Sequence, residues 1–126
     1  MTVTENFDAK AELLSTLRSS KVLEDEVVGG FHNLIADDVV PFPRVVYQEL
    51  TNNDGDYADN KATSALVGFQ VSIYCDSATI SKQTLIAKEV DKVMKSIDYA
   101  RYDSIDLYET ETKLFHKPMR YRKKIF

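Results

Sequence analysis

The chain has 126 residues, of which 44% are apolar and 29% charged, with a formal net charge of −4. That length predicts a single domain spanning 1–126 with its own core, and the composition excludes a chain that is disordered throughout. No apolar run approaches the roughly 18 residues a membrane span needs, and the lone Cys75 excludes an internal disulfide and a multi-cysteine zinc site.

Met1 to Lys10 lacks a basic region followed by an apolar stretch, so no secretory signal is expected and a reducing cytoplasm is the expected site of synthesis. A first helix follows. Thr2 and Glu5 have capping-box spacing, and Asn6 is a second N-cap candidate. Phe7, Leu13, Leu14 and Leu17 make an apolar stripe at helical spacing, and the Ser19-Ser20 pair weakens the helix after it. Between Val22 and Leu50 the period changes. Gly29-Gly30 marks a turn or a bulge before Phe31 to Ile35, and Pro41 and Pro43 exclude a central strand at their positions. Arg44 to Leu50 then reads as a strand rich in valine and tyrosine.

Residues 51–63, TNNDGDYADNKAT, are the most polar stretch and predict a flexible hairpin loop, with turn chemistry at Asn53-Asp54-Gly55. A calcium loop of the EF-hand type would need an acid at Leu50 and a glutamate at Lys61, so that pattern fails and only weak cation capture by Asp54, Asp56 and Asp59 is left. From Leu66 to Cys75, Val67, Phe69, Val71, Ile73 and Cys75 alternate with Gly68, Gln70, Ser72 and Tyr74, which predicts a half-buried strand with an inert buried thiol. A second helix runs from Ser81 to Ile97, with Ile86, Val90, Val93 and Ile97 on one face, Ser77, Thr79 or Ser81 as its cap, and an Asp91–Lys95 pair on its solvated face. Ser104 to Tyr108 alternates, with Ile105 and Leu107 on one side. In Lys113 to Phe126, Phe115, Met119, Tyr121 and Ile125 oppose His116, Arg120, Arg122 and Lys124, and Pro118 predicts an edge strand or a bulge. The predicted class is α+β: a mainly antiparallel sheet of about four to five strands with two helices packed on one face, in the order α-β-β-β-α-β-β.

Charge is unevenly spread. Residues 1–63 carry 5 basic and 12 acidic side chains; residues 64–126 carry 11 and 8. Three readings remain open: a solvated strand face with a basic tail, an intermolecular contact between acidic and basic surfaces, or a nucleic-acid footprint in which Tyr121 interleaves with Arg120, Arg122, Lys123 and Lys124. Patterns for catalysis are missing. His32 and His116 lie in different elements without a second ligand at metal spacing, Gly29-Gly30 is not a phosphate loop, and no serine sits in a nucleophile elbow. No catalytic, cofactor-binding or metal residue is therefore assigned, and no cofactor is expected.

Several segments together carry a family resemblance: "VVGGFHNLIADDVVPFPRVVYQEL" from Val27, "ALVGFQVSIYCDSA" from Ala65, "IAKEVDKVMKSI" from Ile86 and the closing "DLYETETKLFHKPMRYRKKIF". The sharpest markers are "FPRVVY", "FQVSIYC" and "LFHKPMRYR". Over residues 7–126 the chain resembles the tail completion, or tail-to-head joining, proteins of long-tailed bacteriophages and prophages, which are similar in fold to siphophage tail terminators. The resemblance implies a structural virion protein, made in the bacterial cytoplasm and placed at the head-proximal end of the tail. It implies a homo-oligomeric ring, typically a hexamer, that caps the tail tube and joins it to the head connector, with genomic DNA passing through the lumen without specific binding and no membrane involved. The expected partners are other copies of the chain, the tail tube protein and the head completion or connector protein. The expected contact residues are Arg120, Arg122 and Lys124 on the last strand and Asp54, Asp56 and Asp59 on the polar loop. The competing expectation is a small nucleic-acid- or protein-binding regulatory module that uses the basic C-terminal strand.

Overall fold

The first helix, α1 (Ala9–Ser19), forms where the sequence places it, but its buried stripe is Ala9, Leu13 and Leu17, with Leu14 half-buried. The structure is a computed structural model that describes residues 7–126; the expected caps at Thr2, Glu5 and Asn6 lie outside the described residues. Phe7 does not join the stripe. It stands in a tight turn before the first α-helical residue, so the helical spacing does not reach it, and it is 75% exposed.

Ser20 ends α1 in an extended conformation and starts α2 (Lys21–Glu26), an element absent from the predicted order. Its hydroxyl accepts from the Leu23 N–H at 3.3 Å, the usual N-cap contact, and donates to the Glu89 carboxylate at 2.8 Å. Six residues are too few to show a period, which is why α2 left no signal in the pattern.

The remaining elements are β1 (Phe31–Asn33), β2 (Arg44–Asp54), β3 (Tyr57–Ala58), β4 (Lys61–Ala62), β5 (Ala65–Cys75), α3 (Gln83–Ser96), β6 (Ala100–Ser104), β7 (Leu107–Glu109) and β8 (Leu114–Ile125). The α+β class and the rough order are as predicted. The main sheet has six strands in the order β1-β2-β5-β8-β6, with β7 also on β8. It is mixed rather than wholly antiparallel, because β1 runs parallel to β2. Residues 51–63 carry regular structure: Thr51–Asp54 continue β2 opposite β5, and β3 and β4 close a small hairpin beyond them. Its turn is Asp59-Asn60, with φ of 52° and 62°, and not Asn53-Asp54-Gly55. Helix α3 starts two residues later than expected. A single tight turn over Ile80–Lys82 leads into it, and Thr79 donates to Asp76 in the preceding bend instead of capping the helix.

The apolar set of β5 is as expected, with Val67, Phe69, Val71, Ile73 and Cys75 all buried under the helices, while Gly68 and Ser72 on the opposite face are buried as well. Opposite them come Val45 and Tyr47 of β2 and Met119, Tyr121 and Ile125 of β8, and α3 closes the core with Ile86, Val90, Val93 and Met94. Ile105 and Leu107, expected to share one face of a strand, instead lie in and after the break between β6 and β7 and are exposed.

Pro118 corrects the edge-strand expectation. Strand β8 is internal, with β5 on one side and β6 and β7 on the other. The ladder tolerates the proline because of where its missing donor points. The Pro118 carbonyl accepts from the Ile105 N–H at 3.2 Å, and a strand residue directs its N–H and C=O to the same side. The absent N–H therefore faces the seam where β6 stops and β7 begins, so no strand loses a partner.

Candidate interaction surfaces

The helices cover one face of the sheet; on the other, Arg120, Arg122 and Lys124 project from β8 at the alternate spacing of a strand. Arg120 lies opposite Gln70 and donates to its amide oxygen at 3.1 Å, and its guanidinium is 3.7 Å from Asp103 on β6. Arg122 lies opposite Gly68 and spreads over the Tyr102 ring, 5.1 Å from its centroid. Lys124 reaches the far hairpin and meets the Asp56 carboxylate at 2.8 Å. Ser64 adds a second donor to that carboxylate at 3.1 Å and itself accepts from the Asp56 N–H. The lysine and then the serine hold the Asp56 carboxyl below the usual carboxylate range.

Of the six expected contact residues, the structure thus joins Lys124 and Asp56 within one chain and leaves the others apart. Asp54 ends β2 and Asp59 sits at the hairpin turn, both exposed, without a cation within 4 Å among the described residues. Arg122 has no carboxylate within that distance among the described residues.

Towards the other end of this face lies a cleft of about 270 Å³ that sequence reasoning did not find. Its floor includes Arg44, Val46 and Tyr74; Leu34, Ile35 and Glu109 stand around it. Arg44 is 91% buried, donates to the Asp37 carbonyl at 3.0 Å and stacks over Phe42 at 4.4 Å. The only trace of it in the sequence was its place inside "FPRVVY".

Beside the cleft, His116 stacks on Tyr74 with centroids 4.2 Å apart and planes at 11°. Its Nδ1 is 3.8 Å from Glu109, and its buried Nε2 has no hydrogen-bond partner among the described residues. Burial pushes the imidazole pKa below its ordinary 6.5, and Glu109 opposes the shift. The unfolded chain therefore binds a proton here more readily than the folded one, so this contribution to stability is whole above about pH 6.5 and is lost as pH falls through the lowered folded value. We expect the urea midpoint of the wild type to drop more steeply between about pH 7 and pH 5 than that of His116→Gln. Parallel pH profiles would sink this assignment. Cys75 is buried and its thiol pKa is raised by that burial, and His32 contacts the Gly29 carbonyl at 2.7 Å.

Among the described residues no group of three or more His, Cys, Asp or Glu side chains is placed to hold a metal ion, and no helix is long and apolar enough to cross a membrane.

No protein-family model and no curated protein sequence matches the chain. Among solved structures, a chain from the virion of a native gene transfer agent particle is similar, with a TM-score of 0.71 and 14% identity over 90% of each chain. At that identity the similarity establishes a shared fold.

Proposed function

We propose that this chain is a structural virion component that works without catalysis, forming a ring, with six copies as the expected number, that caps the tail tube and joins it to the head connector. The observation that carries this reading is the shared fold with a chain of a gene transfer agent virion over nearly its full length. The family resemblance of the sequence supports it independently, through "FPRVVY", "FQVSIYC" and "LFHKPMRYR". The polarised charge fits a protein whose task is to dock copies and neighbours in one orientation. In this reading the position is the head-proximal end of the tail, and DNA passes through the lumen without specific binding.

The surface shared by β8 and the hairpin is the proposed contact with a neighbouring ring: Arg120, Arg122 and Lys124 beside Asp54, Asp56 and Asp59. The Lys124–Asp56 pair links the hairpin to the end of β8, where the two charge groups meet.

Electron microscopy of the protein mixed with tail tubes tests both statements. Rings on tube ends are expected from the wild type, and their loss is expected from Arg120→Glu with Arg122→Glu at physiological salt. Normal capping by the double variant removes the assigned surface. A wild type that caps nothing, yet binds DNA with steep salt dependence, replaces the assembly reading with a nucleic-acid-binding module.

A further inference from the structure

Arg44 is a buried cation without a counter-charge. It is 91% buried, yet among the described residues no carboxylate lies within 4 Å of its guanidinium. Nη1 donates to the Asp37 carbonyl, and the buried Nε has no hydrogen-bond partner among the described residues. Burying a guanidinium in this way is costly unless something supplies the missing anion.

The side chain forms part of the floor of the 270 Å³ cleft, so an incoming group can approach it. Asp38 and Glu109, at the edge of the same cleft, have no Lys or Arg within 4 Å among the described residues. Glu109 faces only His116, and burial favours the neutral form of that imidazole. Leu34 and Ile35, 63% and 81% exposed, add apolar surface beside these charges. The cleft thus asks for a carboxylate at its floor, a cation at its edge and an apolar group next to them.

The β3–β4 hairpin carries that set. Asp59 and Lys61 flank Asn60 at its tip, both exposed and without an ion-pair partner within 4 Å among the described residues, and Tyr57 is 64% exposed on the same arm. The hairpin cannot fill its own cleft. Arg44 and Asp54 are the two ends of β2, roughly 30 Å apart at the rise of a strand. Hydrogen bonds from Gly55 to Ser64 and from Thr63 to Asp56 carry the β2–β5 ladder on into the arm, away from Arg44.

We propose that the hairpin tip of one copy docks in the Arg44 cleft of the next, with Asp59 on Arg44, Lys61 beside Glu109 and Tyr57 against Leu34 and Ile35. This rests on the assembly reading and names a contact between copies. Within the surface proposed above, Asp59 then reaches the next copy, while Asp54 and Asp56 stay at the base of the arm. Tip and cleft are different surfaces, and every copy has one of each, which is what a head-to-tail contact that closes into a ring requires.

Full-length variants test it. Asp59→Asn with Lys61→Glu removes the charges of the tip and keeps its turn, because asparagine also accepts a φ of 52°. Arg44→Met removes the cation of the cleft. If circular dichroism shows that Arg44→Met does not fold, Ile35→Glu, at an exposed position, replaces it by placing a competing carboxylate at the cleft. Association is read by sedimentation in solution and by rings on tail-tube ends.

Tip and cleft variants are each expected to associate at least about tenfold more weakly than the wild type. Their equimolar mixture joins one intact tip to one intact cleft, so one-to-one dimers and no rings are expected. Wild-type association by either variant alone, rings from the mixture, or a mixture without dimers where the wild type associates in solution, overturns the proposal while the assembly reading stands. A wild type that associates in neither assay overturns both.

Discussion

Phe69→Ala is expected to cost about 3–5 kcal/mol, the range for removing a buried aromatic ring and leaving a cavity. Phe69 sits midway along β5, fully buried, with its cross-strand neighbours Glu49 on β2 and Tyr121 on β8. Its ring meets Tyr99 edge to face, with centroids 5.9 Å apart and planes at 73°. That contact belongs to the core under α1 and α3, where burial pushes the Tyr99 hydroxyl pKa upward. The backbone of β5 is bonded on both sides, so it cannot collapse into the space the ring leaves. A domain of this size has a total stability of about 5–15 kcal/mol, so the variant should lose a large fraction of it. Leu66, three residues earlier on the bare face and 40% exposed, supplies the control: Leu66→Ala should stay within about 0.5 kcal/mol. Urea unfolding of the two variants measures the contrast. Equal midpoints would mean that the two faces of β5 do not differ as described.

The second large effect is expected at Gly29. A Cβ there would collide with the Pro41 carbonyl oxygen, stand 2.7 Å from the Arg44 Cβ and 3.0 Å from the Pro43 carbonyl oxygen. The atoms in the way belong mostly to backbone, and the Gly29 N–H already donates to the Pro43 carbonyl at 2.9 Å. This is where the turn after α2 crosses the proline segment that leads into β2, and neither strand of chain can yield without breaking that contact. Gly29→Ala should therefore destabilise by about 3 kcal/mol, at the upper end of overpacking costs. Gly30 is glycine for a different reason. Its φ is +79°, and a Cβ there would find nothing nearer than the His32 ring at 3.7 Å. Gly30→Ala should cost only about 1–2 kcal/mol of backbone strain. Thermal or urea unfolding ranks the pair, and a larger loss at position 30 would contradict the close packing at 29.

What the sequence made legible was periodic and long. Strand β5 repeats its alternation over 11 residues and α3 its stripe over 14, and both were placed to within a few residues. What it hid depends on distance or on brevity. The cap of α2 is one serine, and β1 has three residues. Pro118 signals a missing donor but not the direction in which that donor is missing. The polarity of residues 51–63 describes a surface, and an extended hairpin arm is as polar as a loop. The contact residues show the same limit. The alternation of Arg120, Arg122 and Lys124 could be read from their spacing, whereas the meeting of Lys124 with Asp56 spans 68 positions and depends on the register of β8 against β5. The charge asymmetry was visible as arithmetic, but only the strand order shows that its basic excess lies on β8, inside the sheet.

The seam at Pro118 also bears on how the chain behaves at high concentration. One margin of the sheet is split into strands of five and three residues that meet at a break. That margin does not offer the long, flat row of unsatisfied amides on which aggregating chains grow. Newly made copies are thus kept from zipping together along that margin.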